Sequence, residues 1–147
     1  MQPFPHVYVV AASGAPAGPV PVSAVALPEI ATAAPPEFDG PGGAWSPETL
    51  LTAAVADCFI LSFRAFSRAS RFEWSALECR VEGVLERVDK VAYFTRFKTT
   101  ARLTLPPGAD EVQARLLLEK AEHGCLIANS LRSERSLEVA LVTAAAP

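Results

Sequence analysis

The longest apolar stretch of the chain, Trp45–Ser70, predicts one helix around which the other elements are arranged. Ser46 and Pro47 suit the cap and the first turn of a helix, and the residues that follow are almost all apolar. We therefore expect this helix to be buried on nearly every face. At about 1.5 Å per residue it is long for a globule of this size, which hints at a second subunit that covers it.

Two alternating runs after this helix predict a long antiparallel hairpin. Apolar and charged residues alternate in Trp74–Arg87, and Tyr93–Leu105 repeats the pattern after a short turn. Such alternation places one face of each strand against a core and the other face in water. The predicted inward face of the first strand consists of Leu77, Cys79, Val81, Gly83 and Leu85.

The last third of the chain predicts two helices and a closing strand. Apolar residues recur at helical spacing in Asp110–His123, and Cys125–Leu131 predicts a second, shorter helix. Ser136–Thr143 predicts the final strand. The predicted inward face of the first of these helices consists of Val112, Leu116, Leu117 and Ala121.

The segment before the long helix carries weaker signals. His6–Ala11 is rich in β-branched and aromatic residues and predicts a strand. Val20–Leu27 predicts a second strand, which Pro19 and Pro21 should confine to the edge of a sheet. Pro28–Ala44 is rich in proline and glycine and predicts a long loop, of the kind that often covers a site.

Charge and composition exclude several classes of function. The 147 residues carry a formal net charge of −3 without a basic stripe, which argues against nucleic acid and anionic membranes as partners. Asp57 interrupts the apolar run, and the N-terminus lacks the layout of a signal peptide, so we predict neither a membrane span nor secretion. In the expected cytoplasmic setting the three cysteines are reduced thiols, and none is arranged as CxxC.

The three cysteines are the main candidates for chemistry. Cys58, among apolar residues of the long helix, is more simply explained from the residues alone as a small buried hydrophobe, because a reactive thiolate needs a cation or a helix N-terminus nearby. Cys125 follows His123 and Gly124 and would begin a helix, whose N–H groups favour a negative sulfur. Cys79 lies on the inward face of its strand and is predicted to be structural.

Glu48 and the histidines are weaker candidates. In the first turn of a helix, Glu48 is a favourable partner for the helix dipole, and it is also a candidate site carboxylate. It precedes Cys58 by ten residues, about 15 Å along the axis, so the two cannot touch within one straight helix. We expect His6 and His123 at the surface. No standard ligand spacing links Cys58, Cys125 and His123, so neither a metal nor a bound cofactor is expected.

Two segments together carry a family resemblance. WSPETLLTAAVADCF, with an acid ten residues before a cysteine in an apolar helix, and CLIANSL, with a second cysteine, resemble the OsmC/Ohr family of osmotically inducible and organic hydroperoxide resistance proteins. The order of elements is similar over nearly the whole chain. The resemblance implies one α+β domain over 1–147, comprising N-terminal strands and a loop (1–45), the central helix (46–70) and the hairpin, helices and last strand (74–147). It also implies an intertwined homodimer in which antiparallel sheets pack around two long central helices.

The resemblance further implies an activity in oxidative stress defence. The chain would be a cysteine-based thiol peroxidase that reduces small organic hydroperoxides to alcohols, with Cys58 as the peroxidatic and Cys125 as the resolving cysteine. Glu48 would be the site carboxylate, and an external dithiol would reduce the Cys58–Cys125 disulfide. The alternative is a redox-inactive OsmC-like protein that binds a small apolar ligand or a partner.

One departure from the family pattern concerns a cation. Family members with peroxidase activity pair the acid that matches Glu48 with an N-terminal arginine, which contacts the reactive sulfur. This chain has no arginine or lysine before Arg64. We therefore hypothesise that another cation takes this role. The candidates are three residues of the hairpin, Arg96, Lys98 and Arg102, and also Arg64 of the partner subunit.

Overall fold

The computed structural model of the protein describes residues 2–145 and separates the chain into two compact units, Met1–Leu51 and Thr52–Pro147. Each unit contains one three-stranded sheet. The division falls within the long helix α1, Pro47–Ser70.

The sheet of the first unit is small and antiparallel. Its strands are β1 (Ala11–Ala12), β2 (Val20–Ser23) and β3 (Ile30–Thr32), with β2 in the middle. A short 3-10 helix follows at Pro36–Phe38. The predicted loop Pro28–Ala44 was thus wrong in part, because it contains both β3 and this helical turn.

The first two predicted strands also need correction. The predicted strand His6–Ala11 forms only at its end, and its apolar side chains are largely exposed, with Tyr8 at 87%. The prediction that Val20–Leu27 lies at an edge was wrong, because β2 pairs on both sides and ends at Ser23. Pro21 has no N–H to donate, but its carbonyl still accepts a hydrogen bond from the N–H of Ser13 at 3.3 Å.

The start of α1 follows the prediction. Ser46 is buried, its hydroxyl accepts a hydrogen bond from the N–H of Thr49 at 3.2 Å, and Pro47 is the first helical residue. By length and composition alone α1 could also cross a membrane, a test that the core helices of soluble proteins pass as well.

The expectation that α1 is buried on nearly every face was wrong for the single chain. Its buried residues form one stripe at a spacing of four, while Leu61 on another face is 50% exposed. One chain provides a packing surface for only one side of this helix. The buried stripe consists of Val55, Phe59, Phe63 and Ser67.

The second unit contains the predicted hairpin and a parallel third strand. β4 (Ala76–Val88) and β5 (Val91–Leu105) are antiparallel, which confirms the hairpin. β6 (Glu134–Thr143) runs parallel to β5, so the prediction of purely antiparallel sheets was wrong. The helices α2 (Glu111–His123) and α3 (Leu126–Asn129) connect these two strands, and a crossover of this kind is what a parallel return requires.

The core of the second unit lies between the inward face of β5 and the helices α1 and α2. Phe59 and Phe63 pack there with buried residues of β5 and α2. The predicted inward face of α2 was half right, because Val112 and Leu116 are 70% and 56% exposed. The residues of α2 that are buried are Ala114, Leu117, Leu118 and Ala121.

The inward face of β4 is confirmed up to a β-bulge. The register between β4 and β5 shifts between Val84 and Leu85, and Leu85 is partly exposed instead of pointing into the core. An extra residue in one strand reverses which face the following side chains occupy.

Candidate cysteine site

The fold of the second unit brings Cys58 and Cys125 together. Cys58 lies in the middle of α1 and is half-buried, whereas Cys125 directly precedes α3 and is 2% exposed. The side chain of Cys58 lies beside that of Cys125 and contributes to the rise of the Cys125 pKa. The two thiols that the sequence analysis singled out therefore share one site.

Cys125 caps α3 with its sulfur. Its Sγ accepts a hydrogen bond from the N–H of Ala128 at 3.5 Å and lies 4.0 Å from the carbonyl oxygen of Val55. The N–H groups at the start of α3 were expected to favour a negative sulfur. Burial has the larger effect, because it raises the pKa of the Cys125 thiol to about 11. The hydrogen bond from Ala128 opposes this shift, and the neighbouring Cys58 adds to it. At neutral pH the Cys125 thiol of the reduced protein is protonated.

A small cavity lies beside Cys125. Its volume of about 10 Å³ is the space that one water molecule needs, so it has no room for an organic substrate. Residues from α1, α2, α3, β5 and β6, together with Cys125 itself, surround it. They are Val55, Phe59, Phe97, Thr99, Glu122, Cys125, Ala128 and Arg135.

An ion pair forms the polar wall of this cavity. The Nε of Arg135 lies 3.1 Å from a carboxylate oxygen of Glu122, and its Nη1 donates a hydrogen bond to the side-chain oxygen of Asn129 at 2.9 Å. The side chains of Arg135 and Glu122 are only 25% and 14% exposed. This is the least exposed ion pair between Arg or Lys and an acid within residues 2–145.

Sequence reasoning missed Arg135, although the sequence contains a signal for it. The last strand was predicted to begin at Ser136, whereas β6 begins at Glu134. Arg135 continues the alternation of Leu137 and Val139, and it pairs with Phe97 on the inward face of the sheet. Extending the alternation by one step would have placed a charged residue on the buried face.

Comparison with known proteins identifies the family of the chain. The sequence model of the family described as OsmC-like protein matches residues 40–140. The chain belongs to the OsmC family. It therefore has an OsmC-like α+β fold with two sheets and a long helix, and the resemblance found in the sequence is confirmed.

Individual relatives of this OsmC-like chain differ in what is known of them. The uncharacterized protein YmaD of Bacillus subtilis (strain 168) is 28% identical over 108 residues, which are 71% of this chain and 72% of YmaD. An OsmC-like protein of unknown function from Vibrio cholerae matches with a TM-score of 0.84 at 16% identity, covering 92% of this chain and 99% of that one. An organic hydroperoxide resistance protein OsmC from Legionella pneumophila matches with a TM-score of 0.67 at 24% identity, covering 93% and 97%. At these identities the two structural matches show the fold alone.

Cys79 lies near the two cysteines of the OsmC-like site. It stands opposite Ala101 on the inward face of the hairpin and packs against the core. Burial raises the pKa of its thiol to about 11, and the charge of a nearby Cys125 thiolate adds to this shift. The structure agrees with its predicted structural role.

Glu48, the third predicted site residue, belongs to the first unit. It lies in the first turn of α1 and is half-buried. Together with Val20, Thr32 and Phe38 it lines a mainly apolar pocket of about 340 Å³. Its role as the site carboxylate stays a prediction.

The hairpin cations expected to serve the cysteines were the wrong choice. Arg96, Lys98 and Arg102 alternate with the buried residues of β5 and therefore project from the opposite face of the sheet. Each is paired there with an exposed acid, at distances of 3.9, 2.8 and 3.4 Å. Arg64 is exposed in the single chain, and its role toward a partner stays a prediction.

The structure also bears on metal binding and on the histidines. In residues 2–145 no group of three or more His, Cys, Asp or Glu side chains is placed to hold a metal ion. His6 is exposed, and the side chain of His123 is 79% exposed, as predicted.

Proposed function

We propose that this OsmC-like protein is a cysteine-based thiol peroxidase that reduces organic hydroperoxides to alcohols in defence against oxidative stress. The observation that carries the proposal is that the fold places the Cys58 side chain beside that of Cys125, near enough to raise the pKa of the Cys125 thiol. Among the relatives, the Legionella pneumophila protein described as an organic hydroperoxide resistance protein supports it.

The chemistry needs only the two thiols and external reactants. The Cys58 thiolate attacks one oxygen of the hydroperoxide; the O–O bond breaks, an alcohol leaves and Cys58 becomes a sulfenic acid. The Cys125 thiolate then attacks the sulfenic sulfur, so that a disulfide forms and hydroxide leaves as water after protonation. An external dithiol returns the disulfide to two thiols by exchange. No bound cofactor takes part.

The surroundings of the cysteines favour an organic substrate. Apolar residues stand near Cys58 along α1, and one of them, Leu61, is 50% exposed and therefore available to a substrate. Alkyl surface gains free energy when such side chains cover it, and hydrogen peroxide has no alkyl surface to bury. We therefore expect alkyl hydroperoxides to react faster than hydrogen peroxide.

We further propose that the protein acts as an intertwined homodimer in the cytoplasm. Only 17% of the most apolar 18-residue window of α1 is buried within one chain, so most of a strongly apolar helix needs a cover. A second copy, with its own α1, would supply this cover. Light scattering coupled to size exclusion should give twice the mass of the chain, and a monomer at all concentrations would contradict the dimer.

The peroxidase is tested by intact mass after one equivalent of an alkyl hydroperoxide. The protein should lose the mass of two hydrogen atoms, and peptide mapping should locate the bond between Cys58 and Cys125. Cys58→Ser should abolish this change, whereas Cys79→Ser, the matched control, should keep it. A parallel run with hydrogen peroxide tests the substrate preference.

The second candidate function is a redox-inactive OsmC-like protein that binds a small apolar ligand or a partner. The absence of any arginine or lysine before Arg64 favours it, because the cation that family peroxidases place beside the reactive sulfur is missing from the N-terminal region. Slow oxidation of all three thiols without preference for Cys58 would support this candidate over the peroxidase.

A further inference from the structure

We propose that Arg135, held by Glu122 and Asn129, supplies the positive charge that lets Cys125 act as the resolving thiol. This inference rests on the proposed peroxidase function and adds a residue to it. It concerns Cys125 and not the cation that family peroxidases place beside the reactive sulfur.

The position of Arg135 in the sheet sets it apart from the other cations. Across the inward face, Arg135 of β6 stands beside Phe97 of β5, which stands opposite Gly83 of β4. Apart from Arg135, the residues that share the buried face of β6 with it are apolar. A charged side chain on the packed face of a sheet costs free energy unless neighbouring groups pair with the charge.

The guanidinium of Arg135 is fixed by contacts on both sides. Glu122 from α2 binds its Nε at 3.1 Å, and Asn129 from α3 accepts from its Nη1 at 2.9 Å. These two helices flank Cys125 in the sequence, so the residues that hold the guanidinium move together with the thiol. Arg135 and Cys125 line the same cavity of about 10 Å³.

A positive charge at this cavity would assist the step in which Cys125 attacks the oxidised Cys58. Cys125 must lose its proton before its sulfur can attack the Cys58 sulfenic acid, and burial raises the pKa of its thiol to about 11. Each unit of such a shift lowers the thiolate fraction at neutral pH about tenfold. A cation at the cavity stabilises the thiolate as it forms and attacks, while hydroxide leaves the sulfenic sulfur.

The charged and titratable groups around Cys125 come from four elements. They are Cys58 on α1, Cys79 on β4, Glu122 on α2 and Arg135 on β6, whereas β5 contributes the uncharged Phe97 and Thr99. Within residues 52–145, Arg135 is the cation that lines this cavity. Glu122 offsets part of its charge. The main causes of the Cys125 pKa in the reduced protein are burial, the hydrogen bonds from Ala128 and Ile127 and the neighbouring Cys58, so the expected effect of Arg135 is small.

A direct titration separates this role from a structural one. In a Cys58→Ser, Cys79→Ser background, the ultraviolet absorbance of the thiolate reports the ionisation of Cys125. The titration of the same background with Cys125→Ser added is subtracted, so that tyrosine absorbance cancels. Arg135→Gln should raise the pKa of Cys125 by about half a unit, and Arg135→Lys, which keeps the charge, should restore most of the difference. Lys98→Gln is the matched control, because Lys98 is an ion-paired cation on the opposite face. Circular dichroism at each pH confirms that the variants remain folded.

Single-turnover kinetics then test the consequence for the reaction. With all three cysteines present and one equivalent of an alkyl hydroperoxide at pH 7, Arg135→Gln should slow disulfide formation about threefold. The rate at which the Cys58 sulfenic acid forms, measured with a diketone probe, should change less than about twofold, and the trapped sulfenic acid should accumulate.

The outcomes are distinct. A wild-type rate of disulfide formation in Arg135→Gln, or a slower rate with an unchanged Cys125 titration, would overturn the role of Arg135. Failure of the wild-type protein to form a Cys58 sulfenic acid would instead reject the peroxidase. The titration would still decide whether Arg135 sets the ionisation of Cys125.

Discussion

Replacing Gly83 by alanine should destabilise the protein through the ring of Phe97. An alanine Cβ at this position would lie 2.8 Å from Phe94 Cε1, 2.8 Å from Phe97 Cε1 and 3.0 Å from Thr52 Oγ1. The two rings stack with their centroids 5.0 Å apart, and Phe97 is 2% exposed. Neither ring can move away from the new methyl group without breaking the stack or entering the cavity beside Cys125.

The size of the effect follows from two opposing contributions. Adding a methyl group to a well-packed core costs about 1–3 kcal/mol. Replacing glycine by alanine inside a regular element recovers about 0.5–1 kcal/mol of unfolded-state entropy. The net loss should be about 1–2 kcal/mol, which corresponds to a fall in Tm of about 3–8 °C for a chain of this length.

Thermal and urea unfolding of Gly83→Ala at one protein concentration would measure this loss. Gly14→Ala is the matched control, because its Cβ would meet only Val20 Cγ2, at an ordinary contact distance of 3.8 Å. The control should stay within about 0.5 kcal/mol of the wild type. If Gly83→Ala were as stable as Gly14→Ala, the close packing of both rings over Gly83 would be refuted.

Three further predictions concern the second unit. Because burial raises the pKa of Cys79 and Cys125 from 9.0 to about 11, the stability that their protonated thiols contribute is complete below pH 9.0 and is lost as the pH rises to about 11. Urea unfolding of a Cys79→Ala, Cys125→Ala variant should therefore show a smaller loss of stability across this range, and an equal loss would contradict the shifts. Leu118→Ala should lower the free energy of unfolding by about 2–5 kcal/mol, because Leu118 is fully buried. Leu116→Ala should lower it by less than about 1 kcal/mol, because Leu116 is 56% exposed. Similar losses for the two variants in denaturant unfolding would reject the observed core face of α2. Asp110→Ala should lower stability by about 1 kcal/mol by the same assay through loss of the helix cap, and Asp110→Asn should not.

Arg135, which is paired with Glu122, is a cation in a different place from the N-terminal arginine of the family pattern. A cation near a buried thiol has to be close in space, and its position in the sequence does not matter. In this chain the packed face of β6 offers such a cation at the cavity beside Cys125. This cation lies at Cys125, so it does not replace the N-terminal arginine that the family pattern places beside the reactive sulfur.

The sequence alone determined those elements that capping residues and periodicity mark within the segment itself. Ser46 and Pro47 set the start of α1, Asp110 caps α2, and strict alternation defines the hairpin and the inward residues of β5. These features depend on a residue and its near neighbours in the chain, so periodicity and capping chemistry suffice to predict them. The two cysteine segments also sufficed to recognise the family.

Only the tertiary structure decided which side of each element is buried and which side chains meet. The apolar pattern of α1 does not predict that a single chain buries only one stripe of the helix. The pattern of α2 does not predict that Leu118 is buried and Leu116 exposed. The parallel return of β6, the raised pKa of Cys125 and its cavity shared with Arg135 all arise between residues far apart in the chain. Burial and proximity depend on how distant segments pack, and for that reason a local pattern cannot determine them.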